Sequence, residues 1–236
     1  MAHSGFRRAP AAANSEAVED YAKAIYALQG RGENAVTTTA LAERLGISPG
    51  SVTAMLKRMG EMGLVEHEPY HGVRLSEAGD RVALEVIRHH RLIEAFLAEA
   101  LDVPWDCVHD EAEVLEHYIS EDLERRIAEK LGNPGFDPHG DPIPTEELAL
   151  ADDPTLSLLD LPVGSGAIFA RVSDSRPEML RYLDERGIRP GAKLFLTEAE
   201  PFGGPLVVEM EGAVHHLGAE LASKMRVEPL KGEGAG

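Results

Sequence analysis

Cysteine is almost absent from this 236-residue chain, which has Cys107 and no other. A single thiol excludes an intramolecular disulfide and any zinc ribbon built from cysteines alone, and it points to the cytoplasm. Long apolar runs are missing too. No stretch approaches the roughly 18–20 residues that cross a bilayer, so no membrane partner is expected. Arg7 and Arg8 stand near the start, but no apolar core follows them. Residues 1–14 therefore read as a loose tail and not as a secretion signal. The chain has no G-x-x-x-x-G-K-[ST] phosphate loop and no G-x-S-x-G nucleophile elbow. Its largest deficit is in positive charge: 23 Lys and Arg stand against 41 Asp and Glu, for a net charge of −18. Taken whole, that balance argues against nonspecific nucleic-acid binding, because phosphates repel acid.

The acid is not spread evenly. Residues 1–75 carry 8 basic and 8 acidic side chains, 76–150 carry 6 and 19, and 151–236 carry 9 and 14. The differences are 0, −13 and −5, so the middle segment holds most of the excess. Such a segment is either a solvated helix face or a carboxylate site for metal.

Periodicity fixes the frame. Val18, Tyr21, Ala22, Ile25 and Leu28 recur at helical spacing over Ser15–Gln29. A short helix over Thr39–Leu45 closes at Gly46, and Pro49 opens a third with Val52, Met55, Leu56 and Met59 on its apolar face. Leu64–Glu68 and Val73–Leu75 read as a hairpin. One long helix is expected from Ser76 to about Ala100 and a second over Asp110–Leu131. Four prolines within 133–144 exclude a regular element there. After about 20 residues of weak pattern the texture turns to short β-like runs at Ala167–Val172, Lys193–Leu196 and Leu206–Glu211, with one helix at Pro177–Arg186. The expected class is mainly α with a small β domain. Its parts are a winged helix-turn-helix at 15–75, a helical segment at 76–148, a linker at 149–160 and a β-barrel at 161–232.

Two helices separated by Gly46-Ile47-Ser48 and followed by a hairpin suit DNA. The second helix of such a unit fits the major groove, about 12 Å wide, and its first turn faces base edges. Here that turn is Ser48, Pro49, Gly50 and Ser51, with Thr53 one turn in. Small residues allow close approach, and free N–H groups at a helix start bind phosphate. Lys57 and Arg58 would meet phosphates and set register, and the wing tip Tyr70-His71 would reach the backbone or minor groove. A plain three-helix interaction domain is the bland alternative.

Histidines and carboxylates form the second constellation. His90 and Glu94 are four apart on the first long helix. His109, Glu113 and His117 lie at i, i+4 and i+8 on the second, with Glu116 beside His117. Helical spacing puts each set on one face, so a metal site is favoured over scattered polarity. The literal H-E-x-x-H match at His67–His71 fails, because Pro69 breaks the helix that this motif requires. Cys107 has no helix-face relation to a base and reads as a small buried or semi-buried residue.

These residues carry a likeness. EDYAKAIYAL, ISPGSVTAMLKRMGEMGLV, LSEAGDRVA, RHHRLIEAFL, VHDEAEVLEHYISEDLERRI and DPHGDPIP together resemble the DtxR/MntR family of metal-dependent transcriptional regulators over nearly the whole chain. The resemblance implies a homodimer built on the second segment, a palindromic double-stranded operator and an SH3-like (FeoA-type) third domain. It assigns Asp20, Glu113, Glu116 and His117 to a primary, activating metal site. It assigns His90, Glu94 and His109 to an ancillary site, making two sites per subunit. Asp20 comes from the resemblance alone, since it lies outside the helical stripe.

Iron-responsive relatives carry methionine and cysteine at the positions of Asp20 and Glu113; manganese-responsive relatives carry carboxylates. Hard oxygen donors suit Mn²⁺, with Fe²⁺ or Zn²⁺ as the alternative. Lys23 stands where some manganese regulators carry a glutamate ligand, which implies two separated sites rather than a close pair. Asp174 or Glu178 is a candidate ligand from the third domain. The implied function is a Mn²⁺-activated repressor of metal-uptake genes. Metal would order the first helix and space two DNA-reading heads about 34 Å apart. A metal-dependent hydrolase and a small-molecule sensor are the rival classes, and no residues suggest a nucleophile for the first.

Overall fold

The computed structural model describes residues 16–30, 35–68, 72–172 and 176–230. The fold divides into two units. The first comprises 1–90, 115–126 and 144–149, and the second 91–114, 127–143 and 150–236.

In the first unit, α1 (Glu16–Gln29) buries Val18, Tyr21, Ala22 and Ile25, the stripe its spacing predicts. Helix α2 (Thr38–Leu45) starts where the Thr37 hydroxyl accepts the Ala40 N–H at 3.1 Å. It stops at Gly46, whose φ of 66° suits a residue without Cβ. Helix α3 (Pro49–Glu61) is capped by the Ser48 hydroxyl and has Pro49 in its first turn, where the missing N–H costs nothing. Strands β1 (Val65–Glu68) and β2 (Gly72–Leu75) pair antiparallel, and Val36 bridges to Val73 beside them. The wing tip residues Tyr70 and His71 lie outside the described residues. One core joins these pieces through Ile25, Leu41, Val52, Leu56, Met59 and Val73. The start of α4 (Glu77–Leu101) packs tightly on it: a Cβ at Gly79 would stand 2.0 Å from the Leu64 carbonyl oxygen.

The expected single helix over Asp110–Leu131 is two helices, α5 (Val108–Leu115) and α6 (Glu121–Lys130), joined by a turn at 116–118. The break has a local cause. The Ser120 hydroxyl accepts the Leu123 N–H, and Glu121, Asp122 and Glu124 fill the positive end of the new helix. Glu116 and His117 therefore sit in a turn and do not continue a helical stripe with His109 and Glu113. Helix α6 is tied back by Glu124, whose oxygens accept Arg88 Nε at 2.5 Å and meet His89 Nε2 at 3.1 Å.

The second unit ends in a six-stranded antiparallel sheet ordered β3-β8-β4-β5-β6-β7. Its strands are β3 (Leu156–Ser157), β4 (Ser165–Val172), β5 (Lys193–Ala199), β6 (Leu206–Met210), β7 (Ala213–Leu217) and β8 (Met225–Pro229). Helices α7 (Pro177–Asp184) and α8 (Ala219–Lys224) accompany it. Phe169, Leu180, Leu183, Leu196, Met210 and Val227 are fully enclosed in its core. Leu158 belongs to that core and β3 pairs with β8, so the second half of the segment expected as a linker is part of this domain. The loop at 133–144 carries no helix and only a single bridge, Phe136 to Pro142. Cys107 is exposed and not buried, because Trp105 and Val108 take the inward positions of that turn. Among the described residues, no helix is long and apolar enough to cross a membrane.

Candidate metal centre and DNA-reading helix

Helix α1 brings Glu19, Asp20 and Lys23 to one side, and the turn after α5 brings Glu116 and His117 to meet them. His117 Nδ1 lies 2.6 Å from Glu19 Oε2, and its Nε2 lies 3.1 Å from Asp20 Oδ1 and 3.6 Å from Glu116 Oε1. Asp20, Glu116 and His117 each offer a donor atom within 4.8 Å of the others. Glu116 is buried without water access. Its two oxygens accept Lys23 Nζ at 2.7 and 2.9 Å, and Oε2 is 2.5 Å from His90 Nδ1. Hydrogen bonds to Asp20 and Glu19 hold the His117 imidazole up at about 10, against the smaller opposing pull of burial. The ring so lies between the Glu19 and Asp20 carboxylates.

The donor set fits a metal. Three carboxylates, one imidazole and one ammonium leave a formal charge of −2 when His117 is neutral. Oxygen and nitrogen donors without sulfur suit Mn²⁺, Fe²⁺ or Zn²⁺. Glu19 escapes sequence reasoning, although it carries a signal: an acid inside the apolar stripe, next to Val18 and three residues before Ala22, and 6 % exposed.

In the second unit, His109 Nδ1 is 3.2 Å from Glu94 Oε1 and His109 Nε2 is 3.7 Å from Glu113 Oε1. Glu94 is buried, and Asp137 and His139 each offer a donor within the same 4.8 Å limit. Neither was singled out from the sequence. Burial pushes the Asp137 carboxyl up, and the neighbouring Glu94 charge adds to it. Burial alone would lower the His139 imidazole, but its interaction with the neighbouring Glu94 carboxylate holds it at about 9. Glu178 lies in the first turn of α7, where it lines a cavity with Arg176, Tyr182 and Glu220, and it joins no such cluster among the described residues. Asp174 lies outside the described residues.

The start of α3 is open to solvent. Ser48, Pro49, Gly50, Ser51, Thr53, Lys57 and Arg58 are all exposed, while Val52, Leu56 and Met59 face the core. A Cβ at Gly50 would meet only the Ser48 hydroxyl, at 3.8 Å, so the fold itself does not require a glycine there. Thr53 Oγ1 donates to the Pro49 carbonyl at 2.9 Å, and the Ser48 and Ser51 hydroxyls are 2.9 Å apart. A winged helix whose first helix also supplies a carboxylate to a His–acid cluster defines the class: a metal-responsive DNA-binding regulator.

Comparison with known proteins agrees. "Iron dependent repressor, N-terminal DNA binding domain" matches 14–73, "Iron dependent repressor, metal binding and dimerisation domain" matches 76–145, and the FeoA domain matches 156–229. The chain is 34% identical to the iron-dependent repressor IdeR of Mycobacterium tuberculosis over 227 residues, which covers 91% of this chain and 98% of that protein. It is 39% identical to a solved manganese-dependent transcriptional repressor in complex with manganese, with a TM-score of 0.84 over 90% of this chain and all of that one. It is 30% identical to ScaR with bound Zn²⁺, with a TM-score of 0.77 over 90% of this chain and 99% of that one. The chain therefore belongs to the DtxR/MntR family of metal-dependent transcriptional regulators. It is a metal-dependent transcriptional repressor of that family and not an enzyme; its partners are DNA and a second copy of itself.

Proposed function

We propose that the activating ion is Mn²⁺, held by Asp20, Glu116 and His117, and that the regulated genes serve metal uptake in the cytoplasm. Glu113 is the fourth residue that the family resemblance assigns to this ion. Glu94 and His109 would serve a second ion, with His90 the third residue so assigned. The observation that carries the reading is the meeting of Asp20 from α1 with Glu116 and His117, 96 and 97 residues later, at donor distances. The carboxylate at Asp20 favours Mn²⁺ over softer ions. The iron-dependent name of the mycobacterial relative supports Fe²⁺ as the second reading.

The mechanism follows from where the ligands sit. Lys23 pairs with Glu116, and the His117 imidazole lies between Glu19 and Asp20. Asp20, Glu116 and His117 would hold a divalent ion, with His117 giving up its proton, and would so tie α1 to the turn after α5. Helix α1 shares its core with α3, so fixing it sets the recognition helix. Ser48, Pro49, Gly50, Ser51 and Thr53 then read base edges of a palindromic operator, Lys57 and Arg58 hold phosphates, and Tyr70 and His71 serve the wing.

The test is operator binding titrated separately with Mn²⁺, Fe²⁺ and Zn²⁺, for the wild type and for an Asp20→Met, Glu113→Cys double variant. Selectivity has to be judged at each ion's working concentration, because Zn²⁺ binds most such sites more tightly whatever the biology. The reading expects Mn²⁺ to switch the wild type on and the double variant to shift toward Fe²⁺. Equal behaviour of the two proteins would rule out Asp20 and Glu113 as the selectivity residues.

A further inference from the structure

Glu94, Asp137 and His139 stand together in the second unit, one on α4 and two in the proline-bracketed loop after α6, and all three are buried. The two loop side chains, His139 and Asp137, are each held by contacts to backbone. His139 Nε2 lies 2.8 Å from the Trp105 carbonyl oxygen. A carbonyl only accepts, so Nε2 carries a hydrogen, and Nδ1 is the nitrogen turned to Glu94 Oε1, 3.7 Å away. Metal-binding histidines are commonly oriented by such a bond from the ring's other nitrogen to a carbonyl. Asp137 Oδ1 accepts two backbone N–H groups, from His139 at 2.8 Å and Asp141 at 2.9 Å, which locks its rotamer.

The loop is docked as well as folded. The Val172 N–H donates to the His139 carbonyl at 3.1 Å. Gly140 has φ +88°, and a Cβ there would stand 2.0 Å from the Ala170 carbonyl oxygen. Pro138 and Pro142 stiffen the same stretch. The spacing also suits an ion. Two ligands each about 2.1 Å from a common metal at a tetrahedral angle stand about 3.4 Å apart. The 3.7 Å gap between His139 Nδ1 and Glu94 Oε1 is long for a hydrogen bond and close to that figure.

The donor types point the same way. Two carboxylates are buried side by side, and the nearest guanidinium, Arg91, approaches Asp137 Oδ2 only to 3.7 Å. It spends its other contacts on Asp141 at 3.7 Å and the Pro142 carbonyl at 2.6 Å. Glu94 Oε1 also meets two imidazoles, His109 Nδ1 at 3.2 Å and His139 Nδ1 at 3.7 Å, so acids and histidines together make the mixed oxygen and nitrogen donor set that a first-row divalent cation takes.

We infer that Glu94, Asp137 and His139 form a site for a first-row divalent cation, bound through two carboxylate oxygens and the Nδ1 nitrogen of the imidazole. The site shares Glu94 with the second-ion set proposed above and takes its other two ligands from a loop outside that set. An ion there fastens the 137–141 loop to α4 while the loop itself is pinned to β4.

The experiment counts Mn²⁺ bound per full-length chain by equilibrium dialysis with metal analysis. It compares the wild type with an Asp137→Asn, His139→Gln double variant and, separately, with Asp20→Ala. The Asn and Gln side chains keep an acceptor for the turn and a donor for the Trp105 carbonyl. The site predicts that the double variant loses one equivalent, or that its weakest equivalent loosens at least tenfold. Unchanged stoichiometry and affinity would overturn it. A wild-type crystal soaked in Mn²⁺ gives an answer even if the double variant does not fold. An anomalous peak bounded by the three residues is expected, and a peak elsewhere or none at saturating Mn²⁺ overturns the site. Loss of an equivalent in the double variant, with none lost in Asp20→Ala, would sink the activating-ion reading and leave this one standing.

Discussion

The two His–carboxylate clusters are built from the same donor types to opposite mechanical ends. In the first unit, Asp20 is 43 % exposed and the cluster holds a competing cation, Lys23, directly on Glu116. Its side chains come from a helix and a turn, and among the described residues no backbone hydrogen bond joins the two. In the second unit, Glu94, Asp137 and His139 are all buried, and the loop bearing two of them is fixed by its own turn bonds and by β4. A site that must respond to metal needs access to solvent. A site that fastens structure needs preorganisation. On the proposed function the first is a switch, and on the further inference the second is a staple.

The largest expected effect tests the staple. Gly140→Ala forces a side chain into positive φ against the Ala170 carbonyl, and it should cost about 3 kcal/mol or more of stability, seen as a drop in denaturant midpoint. If the midpoint holds, the loop is not pinned and the contrast fails. Next is Asp20→Ala, which should remove most of the metal-induced gain in operator affinity, a coupling of about 1–3 kcal/mol. Fluorescence anisotropy with and without Mn²⁺ reads it, and a gain equal to the wild type's would take Asp20 out of the switch.

Proton linkage separates the clusters further. Hydrogen bonds to Asp20 and Glu19 push the His117 imidazole up to about 10, so at neutral pH it is charged and an ion held there would displace its proton. Mn²⁺ affinity at this site should rise about tenfold per pH unit through neutrality, about 1.4 kcal/mol each, with about one proton released per ion. Calorimetry in two buffers of different ionisation heat measures that release in the Asp137→Asn, His139→Gln background. Zero release would mean that His117 is not a ligand. The smallest effect is a control on both clusters. Thr37→Ala removes the α2 cap and should cost about 1 kcal/mol of stability while leaving Mn²⁺ stoichiometry unchanged.

What was legible in the sequence follows what each residue needed to show. Helices α1 to α3 were readable because caps and apolar spacing agree: Ser48-Pro49 starts a helix, Gly46 ends one, and Val18, Ala22 and Ile25 face inward. The α5–α6 break was written in Ser120 and the acids after it, but a continuous helical spacing of His109, Glu113 and His117 masked it. Strand β7 left little pattern, since Leu217 is its one buried residue and Val214 is exposed. In the site, Glu116 and His117 stood out by type, whereas Asp20 came only from family likeness. Glu19, Asp137 and His139 were missed. Glu19 looks like an ordinary first-turn acid, and the other two owe their burial to a loop whose docking on β4 is a long-range fact.

The central claim is that one ion joins α1 to the turn at Glu116 and His117 and thereby prepares α3 for DNA. Coupling of that kind is reciprocal, so the direct measurement is Mn²⁺ affinity of the full chain with and without saturating operator duplex. The account predicts that DNA tightens Mn²⁺ binding by the same factor, about 5–150-fold, by which Mn²⁺ tightens DNA binding. Identical Mn²⁺ affinity in the two conditions would contradict it.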